Sequence, residues 1–132
     1  MKLIYDSGRT IEEKLAESYP KYFFDLRSDD KGPEPEDLVL GRIGGRPYLF
    51  VGLERANGVM AFDVSEPEHP HFAGFMANPP NTPFTTGDNK PDGEEPERLD
   101  FVPAPSSTEP ALLLVTNEKS GDTRAFELSA PE

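Results

Sequence analysis

The sequence repeats itself. Glu34-Pro35-Glu36 lines up with Glu95-Pro96-Glu97 at an offset of 61 residues, and Leu38 with Leu99. Farther along, Val51 to Ser65 aligns without gaps to Val115 to Ser129 at an offset of 64. Five of those 15 pairs are identical: Val51/Val115, Glu54/Glu118, Ala61/Ala125, Phe62/Phe126 and Ser65/Ser129. Arg55/Lys119, Asp63/Glu127 and Val64/Leu128 are conservative. The three-residue drift falls between the first two strands of each unit, where the short Gly44-Gly45 turn becomes the longer Pro103 to Glu109 loop. Strands that persist while a loop changes length mark a duplicated supersecondary unit.

Each unit reads as an antiparallel meander. In the first, Leu38-Val39-Leu40 leads into a two-glycine turn suited to a tight hairpin, and Tyr48-Leu49-Phe50-Val51 is a continuous apolar run, as in a strand buried on both faces. Asn57-Gly58 is the next turn signal. Val59 to Val64 alternates, with Met60, Phe62 and Val64 on one face and Val59, Ala61 and Asp63 on the other, and His71 to Met76 supplies a fourth strand. The second unit has strands at Leu99 to Val102, Ala111 to Val115 and Thr123 to Leu128. Fifteen Pro and 11 Gly fit so turn-rich a β chain.

A four-stranded meander repeated every 60 or so residues is best read as a blade of a β-propeller. The expected organisation is a single, mainly β region over 1–132: a leading strand (2–6), short helix and connector in 1–36, a first blade in 37–77, a Pro-rich acidic loop in 78–96 and a second, three-stranded blade in 97–132. Propellers close with about 4–8 blades, so two blades form an incomplete propeller. Its partners are expected to be the remaining blades, or further copies associating through the open strand edges. The helix is placed by Ile11, Leu15 and Tyr19, one apolar stripe that Pro20 stops, and Thr10 with Glu13 reads as a capping box at its start.

Charge and composition exclude several functions. With 25 Asp and Glu against 13 Lys and Arg, the net charge of −12 argues against nucleic acid and permits divalent cations or cationic partners. No run approaches the ~18 apolar residues of a membrane span. The beginning, Met1 to Asp6, turns polar and acidic too soon for a signal peptide. The absence of cysteine excludes disulfides, thiolate metal sites and cysteine nucleophiles. Gly-x-Ser-x-Gly and Gly-rich phosphate loops are also missing.

Several stretches carry a family likeness. Asp6-Ser7-Gly8, Glu17 to Phe23, and above all Arg27-Ser28-Asp29-Asp30-Lys31-Gly32-Pro33-Glu34-Pro35-Glu36 resemble the C-terminal region of choice-of-anchor I domain proteins, which are large extracytoplasmic β-propellers. Gly52-Leu53-Glu54-Arg55, Asp63-Val64-Ser65, Glu95-Pro96-Glu97 and Thr116 to Gly121 continue the resemblance, and Gly58 to Phe75 is similar to the LVIVD-type propeller repeat. It implies an extracytoplasmic location. Asp37 and Arg98 depart from the family's pattern, which tends to place Gly after Pro-Glu.

The repeated carboxylates are the best functional lead. Glu36 and Glu97 begin the innermost strand of successive blades, which in a propeller places both at the mouth of the channel, where calcium takes several oxygen ligands. Either they ligate metal, or Pro-Glu merely starts a strand and the glutamate is solvated. Glu54 and Glu118 repeat in the following loop; they either add ligands or pair with the neighbouring bases Arg55 and Lys119. Asp88 to Gly93 imitates a calcium loop but has Lys90 and Leu99 where oxygen ligands belong. His69 and His71 lack a third zinc ligand at suitable spacing. These residues lead to a binding or structural module with calcium as its expected cation. The alternative, by likeness to phosphatase and phytase propellers, is part of a metal-dependent phosphoester hydrolase holding its metal on Glu36 and Glu97.

Overall fold

The computed structural model describes residues 1–23, 32–78 and 95–130. It is mainly β, with one short helix, α1 (Thr10–Ser18), followed by a 3-10 turn at Pro20–Tyr22. Strands β1 (Pro35–Ile43), β2 (Arg46–Leu53), β3 (Gly58–Asp63) and β4 (His71–Ala77) form a four-stranded antiparallel sheet in sequential order. Strands β5 (Pro96–Val102), β6 (Ala111–Asn117) and β7 (Thr123–Leu128) form a three-stranded one. Among the described residues neither sheet closes into a barrel, consistent with two blades of an incomplete propeller.

The duplication holds down to register. Leu38 opposes Val51 in the first sheet and Leu99 opposes Val115 in the second; Val51 opposes Met60, and Val115 opposes Arg124. The offsets of 61 and 64 read from sequence are therefore offsets in space. Each innermost strand carries the same irregularity, between Pro35 and Asp37 in β1 and between Pro96 and Arg98 in β5. The β1–β2 turn has both glycines at positive φ, Gly44 at 59° and Gly45 at 82°, as a two-residue hairpin loop requires.

Two apolar layers follow from strand alternation. On one face of the larger sheet Val51, Leu53, Met60 and Phe62 pack with the fully buried Leu15 of α1, flanked by Ile11 and Tyr19. The helical stripe expected from sequence thus meets a strand face, and the Tyr19 ring lies 5.0 Å from that of Phe75. The other face presents Tyr48, Phe50 and Val59 to Leu99, Leu113 and Val115 of the second sheet. Strands β2, β3 and β4 alternate between the two layers, which is why β2 reads as a continuous apolar run.

Two local expectations are corrected. Residues 2–6 form no strand: they join neither sheet, and Leu3 and Ile4 are exposed. A five-residue strand is held by an edge to pair with, and local propensity does not replace one. Thr10 makes no capping box either. The helix already includes Thr10, Arg9 is its N-cap, and the Glu13 amide donates to the Arg9 carbonyl at 2.9 Å, leaving no donor for the Thr10 hydroxyl.

Candidate functional site

Both Glu-Pro-Glu segments build the same corner. Glu34 and Glu95 take left-handed backbone conformations, φ 53° and 55°. That is uncommon for a non-glycine residue, and more so before proline, where an extended backbone is preferred. The conformation turns each carbonyl toward the end of the neighbouring strand. Glu54 N donates to Glu34 O at 3.0 Å, and Glu118 N to Glu95 O at 3.0 Å. Proline then opens the strand, and the bulge at Glu36 and Glu97 re-aims those side chains. The sequence Glu-Pro-Glu is thus a device that brings three carboxylates to each corner.

The corners adjoin because β5 lies against β1 and β2. Carboxylate oxygens of Glu34, Glu36 and Glu54 lie within 4.8 Å of one another, as do those of Glu54, Glu95 and Glu118, so Glu54 belongs to both triads. Glu97 hydrogen-bonds Glu118. All four carboxylates singled out in the sequence therefore share one rim, and the structure adds Glu34 and Glu95. These two were readable as the first member of each repeated Glu-Pro-Glu, but only the left-handed corner shows that they turn inward.

Desolvation, hydrogen bonding and mutual repulsion together raise two of these carboxyls. The Glu54 carboxyl is pushed up to about 7 by desolvation first, then by the charges of Glu34 and Glu36, a hydrogen bond with Glu36 and the charge of Glu95. Glu118 is raised as well, through its hydrogen bond with Glu97, the Glu97 charge, desolvation and the charges of Glu95 and Glu36. Arg55 Nε stands 3.1 Å from Glu34 Oε2, an ion pair without hydrogen-bond alignment. Arg55 thus pairs across the corner rather than with its sequence neighbour Glu54.

Chemically this is an all-oxygen, strongly anionic donor set. Calcium binds oxygen at about 2.3–2.6 Å, so two ligands of one ion stand at most about 5.2 Å apart, and both triads meet that limit. Zinc favours nitrogen and sulfur donors, which are not in the set. Neither His69 nor His71 joins a cluster of three potential ligands among the described residues. Asp88 to Gly93 lies outside the described residues.

A polar seam ties the sheets together beside the apolar layer. Asn78 Nδ2 donates to Asn117 Oδ1 at 2.7 Å, Arg124 donates to Asn78 Oδ1 at 2.8 Å, and Asn57 Nδ2 donates to the Asn78 carbonyl at 3.1 Å. Asp122 accepts from Asn117, Ser120 and Arg124, which holds its carboxyl down at about 2. Sequence gave no sign of this seam, since only Asn57 belongs to a recognisable turn signal.

Two stacked meanders with a carboxylate rim where their inner strands begin define a pair of propeller-type blades. The chain belongs to the choice-of-anchor I domain family, whose sequence pattern matches residues 1–67, the leading segment, helix and most of the first blade. It is also similar to Gigasin-3a of Magallana gigas, 38% identical over 78 residues. A second relative is the mesenchyme-specific cell surface glycoprotein of Strongylocentrotus purpuratus, 33% identical over 82 residues. Each alignment covers 49% of this chain, which spans only 28% of the first relative's length and 10% of the second's. No solved structure gives a significant match. Among the described residues no helix is long and apolar enough to cross a membrane.

Proposed function

We propose that the chain is an extracellular structural or binding module in which calcium staples the inner rims of adjacent blades. Glu36, Glu54, Glu97 and Glu118 are its ligands, with Glu34 and Glu95 completing the set. The observation that carries this reading is the shared position of Glu54: one carboxylate belongs to a triad from its own corner and to another that includes the next corner. Family membership and the cell-surface name of one relative support the extracellular assignment.

The cation has a clear task. Six carboxylates on one rim repel one another, and a bound divalent ion turns that repulsion into a cross-link between sheets. A ligand at a hundredfold excess over its Kd stabilises by about 2.7 kcal/mol, which for a domain of this size raises Tm by on the order of 10 °C. The test is a thermal melt in chelator, followed by stepwise addition of calcium. A saturable rise that disappears in Glu36→Gln/Glu97→Gln is expected. A flat titration, or an equal rise in the double variant, overturns the proposal.

A further inference from the structure

The contact between the two sheets is a template for a second contact that the chain leaves open. Leu99 and Phe101 form a ridge on β5 that seats against the first sheet. Leu99 is 9% exposed and lies against Gly52, where a Cβ would stand 3.5 Å from Leu99 Cγ. Phe101 occupies the space left by Gly41, where a Cβ would stand 2.4 Å from the ring, and stacks on Phe50 at 5.9 Å. The Leu99 amide donates to Asp37 Oδ2 at 2.8 Å across the interface. Ridge, the Gly41 hollow and a carboxylate acceptor make up the joint, with Gly52 in ordinary contact with Leu99.

At the offset of 61, Leu38 and Leu40 of β1 are the same ridge. They are 61% and 63% exposed. Helix α1 covers the part of this face formed by Val51, Leu53, Met60 and Phe62, and among the described residues the β1 strip remains bare. We infer that Leu38 and Leu40 form a docking ridge for a further β-blade, one whose receiving face carries a glycine opposite Leu40 and a carboxylate that accepts the Leu38 amide.

A second copy of this chain is a poor occupant. The receiving positions on the outward face of its second sheet correspond to Gly41, Gly52 and Asp37, and they hold Val102, Thr116 and Arg98. Val102 fills the hollow that Gly41 leaves, Thr116 adds bulk at the Gly52 position, and the acceptor is replaced by a cation. The partner is therefore a blade with the first sheet's own receiving chemistry. This inference rests on reading the chain as adjoining propeller blades, and it is independent of calcium.

The test converts the chain into its own probe. Arg98→Asp, Val102→Gly and Thr116→Gly together give the second sheet the receiving face of the first. Sedimentation velocity is run in chelator, so that a failed calcium site does not alter the outcome. The parent chain is expected to sediment as a monomer, and the triple variant to associate to at least twice the monomer mass as concentration rises. Adding Leu38→Lys and Leu40→Lys should return it to monomer. A folded triple variant that stays monomeric overturns the inference, as does association that survives the lysines. Association of the parent chain through Leu38 and Leu40 also overturns it, because the hollow would then be unnecessary. Should the triple variant melt too low, Arg98→Asp/Val102→Gly replaces it with the same outcomes.

Discussion

Gly41 lies directly beneath the ring of Phe101, so close that a Cβ there would stand 2.4–2.5 Å from three of the ring carbons. One residue belongs to β1 and the other to β5, so the missing side chain sets the separation of the two sheets. The same ring stacks on Phe50 with the planes 17° apart, which fixes its orientation as well as its position.

Gly41→Ala is accordingly expected to destabilise by about 1–3 kcal/mol, the usual cost of overpacking a closed contact. Phe101→Leu, costly alone, should recover part of that loss when combined with Gly41→Ala. A double-mutant cycle by urea unfolding measures it. Strict additivity would mean that the sheets separate freely and that this contact does not position them.

Asn78 joins three elements with one side chain and its backbone. Asn78→Ala strands Asn117 Oδ1, which is buried, and removes the Arg124 contact. Leaving such groups without partners costs about 2–4 kcal/mol in total, a drop in Tm of on the order of 10 °C. Asn78→Asp should not rescue, since a carboxylate donates nothing to Asn117 at neutral pH. A melt series of the two variants decides the matter.

Sequence revealed the large design of this molecule and missed its joints. The gapless alignment of Val51–Ser65 with Val115–Ser129 and the alternation of Val59 to Val64 were enough to give both meanders, because side-chain period and strand pairing share a period of two. Glu36, Glu54, Glu97 and Glu118 were legible as a set because each recurs. The leading strand failed because 2–6 has the composition of a strand and no edge beside it. The inward turn of Glu34 and Glu95 depends on a left-handed backbone before proline, which residue identity does not announce. Asn78 follows β4 with no sequence neighbour that hints at Asn117, 39 positions away.

At the acid end Asp122 contributes to the response. Its carboxyl is held at about 2, below the ordinary 3.8, by hydrogen bonds from Ser120 and Asn117 and by Arg124. A depressed carboxyl contributes stability that is present above 3.8 and lost as pH falls toward 2. Asp122→Asn should therefore lower Tm at pH 6 while matching the parent chain more closely at pH 2.5. Melts at the two values check it, and an equal deficit at both would show that the seam acts without charge.

Glu54 has the opposite sign. Its carboxyl rises from 4.5 to about 7, so the stability it contributes is complete below 4.5 and lost as pH rises through 7. In chelator, then, the parent chain should melt lower at pH 8 than at pH 5 for this group's part. Glu54→Gln keeps a neutral group on the rim and removes the repulsion from Glu34, Glu36 and Glu95, so its Tm at pH 8 should exceed the parent's by a few degrees, about 3 °C for 1 kcal/mol or less. Calcium reverses the ranking if the rim is its site: the parent chain regains stability at pH 8, while Glu54→Gln, missing the carboxylate common to both triads, responds weakly. The apparent affinity of the parent chain should also climb between pH 6 and pH 8 as proton and cation cease to compete for Glu54. Equal calcium responses in the two proteins at pH 8 would assign the metal to residues other than this rim, and an unchanged Tm of Glu54→Gln in chelator would show that the carboxylates are too well solvated to repel.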